Sequence, residues 1–403
     1  MKKIVVILLV FILLFPVSIY ALEYPKLDSK NVEVYDLTDE KVLYEINSNE
    51  ITSIASLTKI ATIITAIETI KNLDEKVIIT KEIINTVKKE ASKAGLEEGD
   101  ELTYLDLLYA AMLPSGADAT NAIAILSSGS IDDFVKKMNV LKEKIGLNST
   151  NFVNVTGLDE KDHYSTADDV RKLLSYSLKN EIFKKIYTTK KYILSNGLLV
   201  RSTIISNYNT DKIIGSKTGY TKDAGYCLSS LSYVNGHEIL IITLNANGYG
   251  NNYYNVVDTL NLIDFLLENY EDRVLLKKNK GLKNLKVNFS NIDKYEVKST
   301  KDITKYLPSD YNKNSFRYKY EGLEKLSFNN KQEEKIGVIK YYYNNKIFYK
   351  EDVILNIDIK LDAVKILLKY WYILISIIIF LIFVLNIKKL KNTFKNENHH
   401  DLI

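Results

Sequence analysis

The sequence predicts an α/β protein in which an antiparallel sheet with flanking helices carries an all-helical subdomain. Two observations favour this fold class. Segments that alternate apolar and polar residues, as strands do, stand at 32–37 and 42–46 and again at 230–234 and 239–244. The long stretch between the two pairs has mainly helical periodicity. A sheet completed by both ends of one domain, with the helices inserted between them, accounts for this order.

The first alternating pair predicts a hairpin that leads directly to an apolar helix. Thr38-Asp39-Glu40 separates its two strands and supplies the turn. After Ser56, isoleucines recur at helical spacing, which predicts a helix that is mostly buried in the core. A buried helix would hold Ser56 rigidly.

Two further helices are predicted on either side of a turn. The first covers 102–113 and ends at Pro114, which cannot continue a helix, and the second covers 118–126. Ser115 is therefore expected on the turn between them.

The last part of this domain returns to strands. The strongest short hairpin signal, Asn235-Gly236, separates the second alternating pair. The Lys217-Thr218-Gly219 segment is expected on an antiparallel strand just before that pair. Helical periodicity over 259–270 closes the domain.

The following residues predict a second, smaller domain. The charged segment 272–284 predicts a linker, and 285–360 is rich in β-branched and aromatic residues with a hairpin signal at Asn344-Asn345. We interpret 285–360 as a β-rich spacer or interaction module rather than as a second enzyme.

Both ends of the chain carry membrane-targeting patterns. Two lysines before an apolar run and a small residue after it predict that residues 1–21 are a secretory signal peptide, the alternative being an uncleaved anchor. The apolar run at 368–387 predicts one transmembrane helix, the alternative being a buried core helix, and the basic tail 388–403 favours the cytoplasmic side. The sequence thus predicts a cell-membrane protein whose domains lie outside the cell.

Composition argues against several classes of function. The 403 residues carry a net charge of +4 from 54 basic and 50 acidic residues, which is too balanced to suggest nucleic-acid binding. Cys227 is the only cysteine, so an intrachain disulfide cannot form. The four histidines are scattered, which argues against a zinc carboxypeptidase. We expect neither a metal nor a cofactor.

The first chemical signal is Ser56-Leu57-Thr58-Lys59. A serine hydroxyl is a poor nucleophile until a neighbouring base removes its proton, and residues three apart on a helix share a face. Ser56 and Lys59 could therefore be a nucleophile and its base, although many such tetrapeptides are solvated helix starts.

Two further motifs follow in order, Pro114-Ser115-Gly116-Ala117 and Lys217-Thr218-Gly219-Tyr220-Thr221. Together the three resemble the Ser-x-x-Lys, Ser-x-Asn and Lys-Thr-Gly set of penicillin-binding proteins and serine β-lactamases. Further matching segments extend the resemblance over about residues 32–270. Over that range the chain resembles the low-molecular-mass penicillin-binding proteins that act as D-alanyl-D-alanine carboxypeptidases.

The resemblance implies a role for each matching residue. Ser56 is the expected nucleophile, Lys59 its base, and Ser115 the relay that passes a proton to the leaving amine. Burial beside Lys217 would lower the pKa of Lys59, because burial and a like charge both disfavour the ammonium form. The implied substrate-binding residues are Lys217 for the terminal carboxylate, Thr218 and Thr221 as hydrogen-bond donors, Gly219 to leave room for a substrate strand, and Tyr220, whose backbone N–H would complete an oxyanion hole with that of Ser56.

The predicted function is a serine DD-carboxypeptidase with its catalytic domain over residues 22–271. It would remove the terminal D-alanine from peptidoglycan stem peptides through an acyl-enzyme on Ser56, and β-lactam antibiotics would acylate the same serine. A DD-endopeptidase or a transpeptidase on the same scaffold is an alternative. A serine β-lactamase is another, although the Glu-x-x-Leu-Asn segment of class A enzymes does not occur between Ser115 and Lys217.

One motif position departs from the family pattern. Where the family usually has Asn, this chain has Ala117, which cannot offer an amide to the substrate or to the active-site lysine. Two alternatives therefore stay open: a catalytically impaired peptidoglycan-binding module, and a structural membrane protein whose outer domain spaces its partners. His163, in a family-like segment, is interpreted as a structural loop residue.

Overall fold

The computed structural model describes residues 22–204, 208–249 and 252–397. The predicted signal peptide, residues 1–21, lies outside this described part. The chain divides into two compact units, Met1–Glu271 and Asp272–Ile403, and each is described by itself.

The strands of the first unit are β1 (Asn31–Asp36), β2 (Lys41–Ile46), β3 (Lys76–Ile78), β4 (Glu101–Thr103), β5 (Lys191–Ile193), β6 (Leu199–Arg201), β7 (Ile213–Thr221), β8 (Gly225–Val234), β9 (His237–Ala246), β10 (Gly248–Tyr249) and β11 (Asn252–Tyr253). Its helices are α1 (Thr58–Thr69), α2 (Lys81–Asn85), α3 (Tyr104–Met112), α4 (Ala117–Ser128), α5 (Ile131–Ile145), α6 (Ala167–Ser177), α7 (Glu181–Thr188) and α8 (Tyr254–Asn269).

A five-stranded antiparallel sheet of order β2-β1-β9-β8-β7 lies at the centre of this unit. The first strand pairs with the last long one, with Val32 opposite Thr243. Strand β9 is buried along almost its whole length, because its central run of isoleucine and leucine residues is continuous rather than alternating. Helix α6 packs against β1 and β9, and α8 packs against β8 and β9. The predicted sheet, completed by both ends of the domain, is therefore confirmed.

The helical subdomain is built around α1, which packs against α3, α4 and α5. Its apolar residues Ile60, Ile63 and Ile64 are fully buried, as their spacing predicts. A capping box of Thr103 and Asp106 starts α3.

Two predicted helices differ from the observed ones at their first turn. The helix predicted over 102–113 begins only at Tyr104, because the preceding residues form β4 and pair with β3. The helix predicted over 259–270 begins earlier, at Tyr254, because Val256 also packs inward. Both errors concern element ends, where local periodicity is weakest.

The second unit contains small sheets rather than one large one. Its strands are β12 (Tyr270–Leu276), which begins at the boundary, β13 (Gly281–Asn288), β14 (Lys294–Lys298), β15 (Ile303–Pro308), β16 (Phe316–Gly322), β17 (Lys325–Ser327), β18 (Lys335–Tyr343) and β19 (Lys346–Ile354). The two three-stranded sheets have the orders β14-β13-β17 and β16-β18-β19. Residues from both, including Leu285, Val297, Ile339 and Tyr341, form one apolar core.

The prediction of a linker over 272–284 is wrong. The segment contains most of β12 and the start of β13. In β13, Lys283 and Lys286 are exposed while Leu285 and Val287 are buried. Lys277, Lys278 and Lys280 lie in the turn between these two strands, so charge here marks exposed positions rather than a linker.

A long apolar helix, α9 (Ala363–Glu397), follows the β-domain, with non-helical backbone at Tyr370. Within the described residues, its part over Ala363–Lys389 is the helix that is long and apolar enough to cross a membrane. Its 27 residues correspond to roughly 40 Å of helix, enough for a bilayer core. The predicted span 368–387 lies inside it, so this helix is a candidate membrane anchor.

Candidate active site

The predicted nucleophile lies on a tight turn just before α1. Ser56 is the middle residue of a 3₁₀ turn, Ala55–Leu57, and Ala55 has a positive φ of 46°. An alanine rarely adopts this conformation, so the surrounding contacts must hold it there. Thr58 helps, because its Oγ1 donates to the Ala55 carbonyl at 2.9 Å.

His163 also stabilises the turn that carries Ser56. Its Nδ1 accepts from the Val153 N–H at 3.2 Å, so the neutral ring carries its proton on Nε2 and donates to Thr58 Oγ1 at 2.8 Å. Burial lowers the pKa of His163 to about 4, which keeps the ring neutral at physiological pH. The structure thus gives His163 a structural role in the turn, as interpreted from the sequence.

Lys59 is brought directly to the nucleophile. Its side chain is buried, and its Nζ lies 3.0 Å from Ser56 Oγ and donates to the Thr156 carbonyl at 2.6 Å. The spacing of three residues therefore places the amine within hydrogen-bond reach of the hydroxyl, as the motif predicts.

The second serine and the second lysine form a matching pair. Lys217 Nζ donates to Ser115 Oγ at 3.0 Å and to the Thr218 carbonyl at 2.7 Å. Ser115 lies on the predicted turn between α3 and α4 and has a positive φ of 64°. Strained backbone at Ala55, just before Ser56, and at Ser115 is typical of positions held for a chemical purpose.

Burial dominates the electrostatics of the two lysines. It lowers the pKa of Lys59 from 10.5 to about 7, and the carboxylate of Asp118 only partly opposes this effect. It lowers the pKa of Lys217 well below its usual value, and the neighbouring Lys59 lowers it further. Near pH 7 a large fraction of Lys59 is therefore the neutral amine that a base must be.

Asp118 is fixed beside the site by backbone donors. Its two carboxylate oxygens accept hydrogen bonds from the N–H groups of Ala94, Gly95, Leu96 and Ala119. The carboxylate is therefore held in one place, where it supplies negative charge near Lys59 without donating or accepting a proton at Ser56.

Strand β7 brings the third motif against the nucleophile turn. A Cβ added to Gly219 would lie 3.0 Å from both the Ser56 nitrogen and the Ala55 Cβ. Glycine therefore permits a close approach that a side chain would obstruct. Since β7 is the last strand of the sheet order, its outer edge offers backbone groups beside Ser56.

The side chains of the remaining predicted binding residues differ in exposure and in hydrogen bonding. Thr218 Oγ1 is hydrogen-bonded to Thr203 Oγ1. Tyr220 is 59% exposed, and its ring packs on Tyr226 of β8 with 4.4 Å between centroids. The Thr221 hydroxyl donates to Asp159 Oδ1 at 2.7 Å, so its proton is already engaged. The substrate contacts of these three residues stay predictions.

Ala117 begins α4 and is buried. Its backbone N–H donates to the Ser92 carbonyl at 2.8 Å. The position is thus part of the packed site, and the methyl group offers no hydrogen bond where the family usually has an amide.

Within the described residues, Asp36, Asp39 and His237 have ligand atoms close enough together to hold a metal ion. Lys41 Nζ lies 3.0 Å from an Asp39 carboxylate oxygen and 3.8 Å from one of Asp36. This lysine already supplies positive charge to the cluster. The strand register places the group at the opposite end of the sheet from Tyr220, so it takes no part in the chemistry at Ser56.

Several important groups of this site lack a motif that would reveal them in the sequence. The Thr156 carbonyl beside Lys59 is a backbone atom that any residue could provide. Thr58 falls inside the first motif, but its link to His163 depends on a loop about 100 residues further along the chain. Asp118 acts through its position and charge alone.

The sheet, the buried serine–lysine pair and the second serine–lysine pair define a serine hydrolase that transfers acyl groups. The sequence profile of the D-alanyl-D-alanine carboxypeptidases, peptidase family S11, matches residues 19–248, which is more than half of the chain. The chain belongs to this family.

Curated relatives agree with this assignment. The chain is 32% identical over 271 residues to the D-alanyl-D-alanine carboxypeptidase DacF of Bacillus subtilis, which covers 64% of this chain and 67% of the relative. It is 28% identical over 237 residues to the D-alanyl-D-alanine endopeptidase of Escherichia coli, covering 56% of this chain and 73% of the relative.

Solved structures share the fold over most of the chain. Penicillin-binding protein 5 from Haemophilus influenzae matches with a TM-score of 0.62 at 22% identity, covering 84% of this chain and all of that one. The DD-transpeptidase of Streptomyces K15 matches with a TM-score of 0.55 at 27% identity, covering 60% of this chain and 98% of that one. The predicted family and fold class are confirmed.

Proposed function

We propose that this protein removes the terminal D-alanine from peptidoglycan stem peptides through an acyl-enzyme on Ser56. The observation that carries the proposal is the buried Lys59 amine 3.0 Å from Ser56 Oγ, with a pKa lowered to about 7. A neutral amine at this distance can take the hydroxyl proton at physiological pH. The family assignment supplies the substrate class.

In the first step, the proton of Ser56 passes to Lys59 while Oγ attacks the carbonyl carbon of the penultimate D-alanine. The backbone N–H groups of Ser56 and Tyr220 stabilise the oxyanion that forms. The C–N bond then breaks, and the departing amine receives a proton through Ser115. Free D-alanine leaves, and the rest of the peptide stays as an ester on Ser56.

In the second step, a water molecule attacks the ester. Lys59 accepts a proton from this water, and the bond between Ser56 Oγ and the carbonyl carbon breaks. The peptide leaves with a new carboxylate, and Ser56 regains its proton. β-Lactams enter the same first step, because their strained amide takes the place of the scissile peptide bond.

The substrate carboxylate is assigned to the pair formed by Lys217 and Thr218. Lys217 is buried and holds Ser115 at 3.0 Å, so an anion arriving there would meet a cation or a neutral donor. Such an anion would raise the pKa of Lys217 by favouring its ammonium form. Substrate binding would therefore charge the residue that recognises it.

The location proposed for the enzyme follows from its candidate anchor. Helix α9 would cross the membrane once, with both domains outside the cell and the basic residues after Lys388 in the cytoplasm. The substrate, peptidoglycan, lies on that outer side. Anchoring by a single helix would keep the enzyme near newly made wall.

A DD-endopeptidase is the second candidate, supported by the relative from Escherichia coli that carries this name. The two activities share the acyl-enzyme and differ in the leaving group. A carboxypeptidase releases free D-alanine, whereas an endopeptidase releases the stem peptide whose side-chain amine formed the cross-link.

The test measures D-alanine release from a pentapeptide that ends in D-Ala-D-Ala, together with labelling by fluorescent penicillin. We expect both with the wild type and neither with Ser56→Ala, which removes only the hydroxyl. Labelling of the alanine variant at the wild-type rate would exclude Ser56 as the nucleophile. Labelling of the wild type with cleavage of cross-linked dimers but no free D-alanine would favour the endopeptidase.

A further inference from the structure

A backbone carbonyl of the loop after α5 contacts Lys59, the proposed general base. Lys59 Nζ donates to the Thr156 carbonyl at 2.6 Å, in addition to its contact with Ser56. A neutral amine has two N–H groups and one lone pair. To accept the Ser56 proton, the lone pair must face Oγ, so the N–H groups must be held elsewhere. The Thr156 carbonyl holds one of them.

The direction of this carbonyl is set from the other side of the same peptide bond. A trans peptide is planar, and its C=O and N–H point in opposite directions. The Gly157 N–H donates to Asn154 Oδ1 at 2.7 Å. Because this hydrogen bond fixes the N–H on one side of the peptide, it fixes the Thr156 carbonyl on the opposite side, where Lys59 lies.

Asn154 uses both halves of its amide to hold this loop. Besides Gly157, its Oδ1 accepts from the Thr156 N–H at 3.1 Å and the Thr156 hydroxyl at 3.2 Å. Its Nδ2 donates to the Leu158 carbonyl at 3.1 Å and to Glu160 Oε2 at 3.2 Å. One side chain therefore closes the segment from 154 to 160 around the peptide that contacts Lys59.

The loop is also pinned to the nucleophile turn. Thr62, one turn after Lys59 on the same helix face, donates to the Val155 carbonyl at 2.8 Å. Gly157 has a φ of +82°, and a Cβ there would lie 1.9 Å from the Ala55 carbonyl oxygen. The peptide that contacts Lys59 is thus packed against the residue that precedes Ser56.

We propose that Asn154 is a positioning residue for the general base, which acts by aiming the Thr156 carbonyl at Lys59. This inference rests on the proposed function. The backbone carbonyl orients the amine and then stabilises the ammonium that forms when the Ser56 proton arrives.

The charged groups around Lys59 come from three elements. Asp118 on α4 raises its pKa, and Lys217 on β7 is the neighbouring amine, whose own pKa Lys59 lowers. The loop also carries Asp159 and Glu160, which act on the pKa of the neutral His163, whereas Asp118 is the carboxylate that raises the pKa of Lys59. A change at Asn154 leaves all of these side chains in the protein, so its effect on titration reports the lost orientation of the carbonyl.

The experiment measures the rate of Ser56 acylation by fluorescent penicillin against pH, using the full-length protein in detergent. We expect Asn154→Ala to lower the plateau rate about tenfold to a hundredfold, since hydrogen bonds to charged groups contribute about 1.5–3 kcal/mol. Without its carbonyl acceptor the ammonium of Lys59 is less stable and its pKa is lower, so the acid limb of the profile lies at lower pH than in the wild type. Simple loss of folded protein would lower the amplitude without moving this limb.

Two further variants separate orientation from loop stability. Asn154→Asp keeps an acceptor for the Gly157 N–H but adds negative charge near Lys59. It should retain more of the plateau than the alanine variant and move the acid limb upward. Glu160→Ala removes a partner of Nδ2 only, and we expect the wild-type profile.

An Asn154→Ala variant that is folded and has the wild-type plateau and acid limb would overturn the proposal. If that variant does not fold, the plateau of Asn154→Asp decides, because loss of acylation in a folded variant that keeps an acceptor for the Gly157 N–H overturns the proposal as well. A wild-type protein that penicillin does not acylate would instead contradict the proposed function.

Discussion

Replacing Lys59 with methionine should make the protein more stable while it abolishes acylation. Methionine has a similar length and no charge to desolvate. Burial lowers the pKa of Lys59 from 10.5 to about 7, which corresponds to roughly 4 kcal/mol of destabilisation at pH 7. Against this, the Thr156 carbonyl loses its donor, which costs about 1–3 kcal/mol. We therefore expect a net gain of about 2 kcal/mol at pH 7.

The pH dependence of this gain is the sharper part of the prediction. A lysine whose pKa is lower in the folded state binds fewer protons there, so wild-type stability rises as the pH increases from about 7 to 10.5. The advantage of Lys59→Met should therefore be constant below pH 7 and shrink by about 1.4 kcal/mol per unit above it. Between pH 7 and 9 the decrease should be about 2 kcal/mol, whatever the lost hydrogen bond costs.

The measurement is urea unfolding of the full-length protein in detergent, at pH values from 6 to 9. Circular dichroism is the suitable signal, because the single tryptophan, Trp371, lies in α9 and not in the catalytic unit. Lys71→Met, at an exposed lysine, is the matched control and should show no such trend. A Lys59→Met advantage that stays constant from pH 7 to 9 would refute the argument that burial lowers the pKa of this lysine.

Three other predictions concern the site and the membrane. Lys59→Arg should lose penicillin acylation almost completely, because guanidinium does not deprotonate. Lys217→Arg keeps a positive charge and should retain a measurable fraction of the acylation rate in the same time course. Equal losses in the two variants would contradict the roles assigned to the two lysines. Ala117→Asn should raise the acylation rate by about tenfold or more, since it restores a polar contact to a charged group; a fall would mean that the pocket is packed around alanine. Protease added to intact protoplasts should remove the catalytic domain and spare the basic tail, and protection of that domain would contradict the proposed topology.

Much of the catalytic unit could be predicted because its signals are local. Alternation, the Asn235-Gly236 turn and helical spacing of isoleucines each depend on neighbours in the chain, and each was found where expected. The three motifs could likewise be placed on a helix start, a turn and a strand. Their meeting at Ser56 came from the family resemblance, since spacing alone does not bring distant residues together.

What could not be predicted depends on contacts between distant segments or on backbone atoms. Most charged residues of 272–284 lie in the turn between β12 and β13 or at exposed strand positions, so composition alone suggests a linker. The carbonyl of Thr156 has no sequence signature at all. The strain at Ala55 and Ser115 follows from packing around these residues, because neither residue type favours a positive φ.

The pairing of β1 with β9 has a consequence for when the enzyme becomes active. The first hairpin emerges early in synthesis, but the partner of β1 follows roughly 200 residues later, and such distant pairings form slowly. The turn that carries Ser56 likewise rests against β7, at Gly219. In the proposed topology, a chain still in transit through the membrane would lack both the β9 partner of β1 and the β7 contact with the turn that carries Ser56. Hydrolytic activity would then arise only after the whole catalytic unit has emerged.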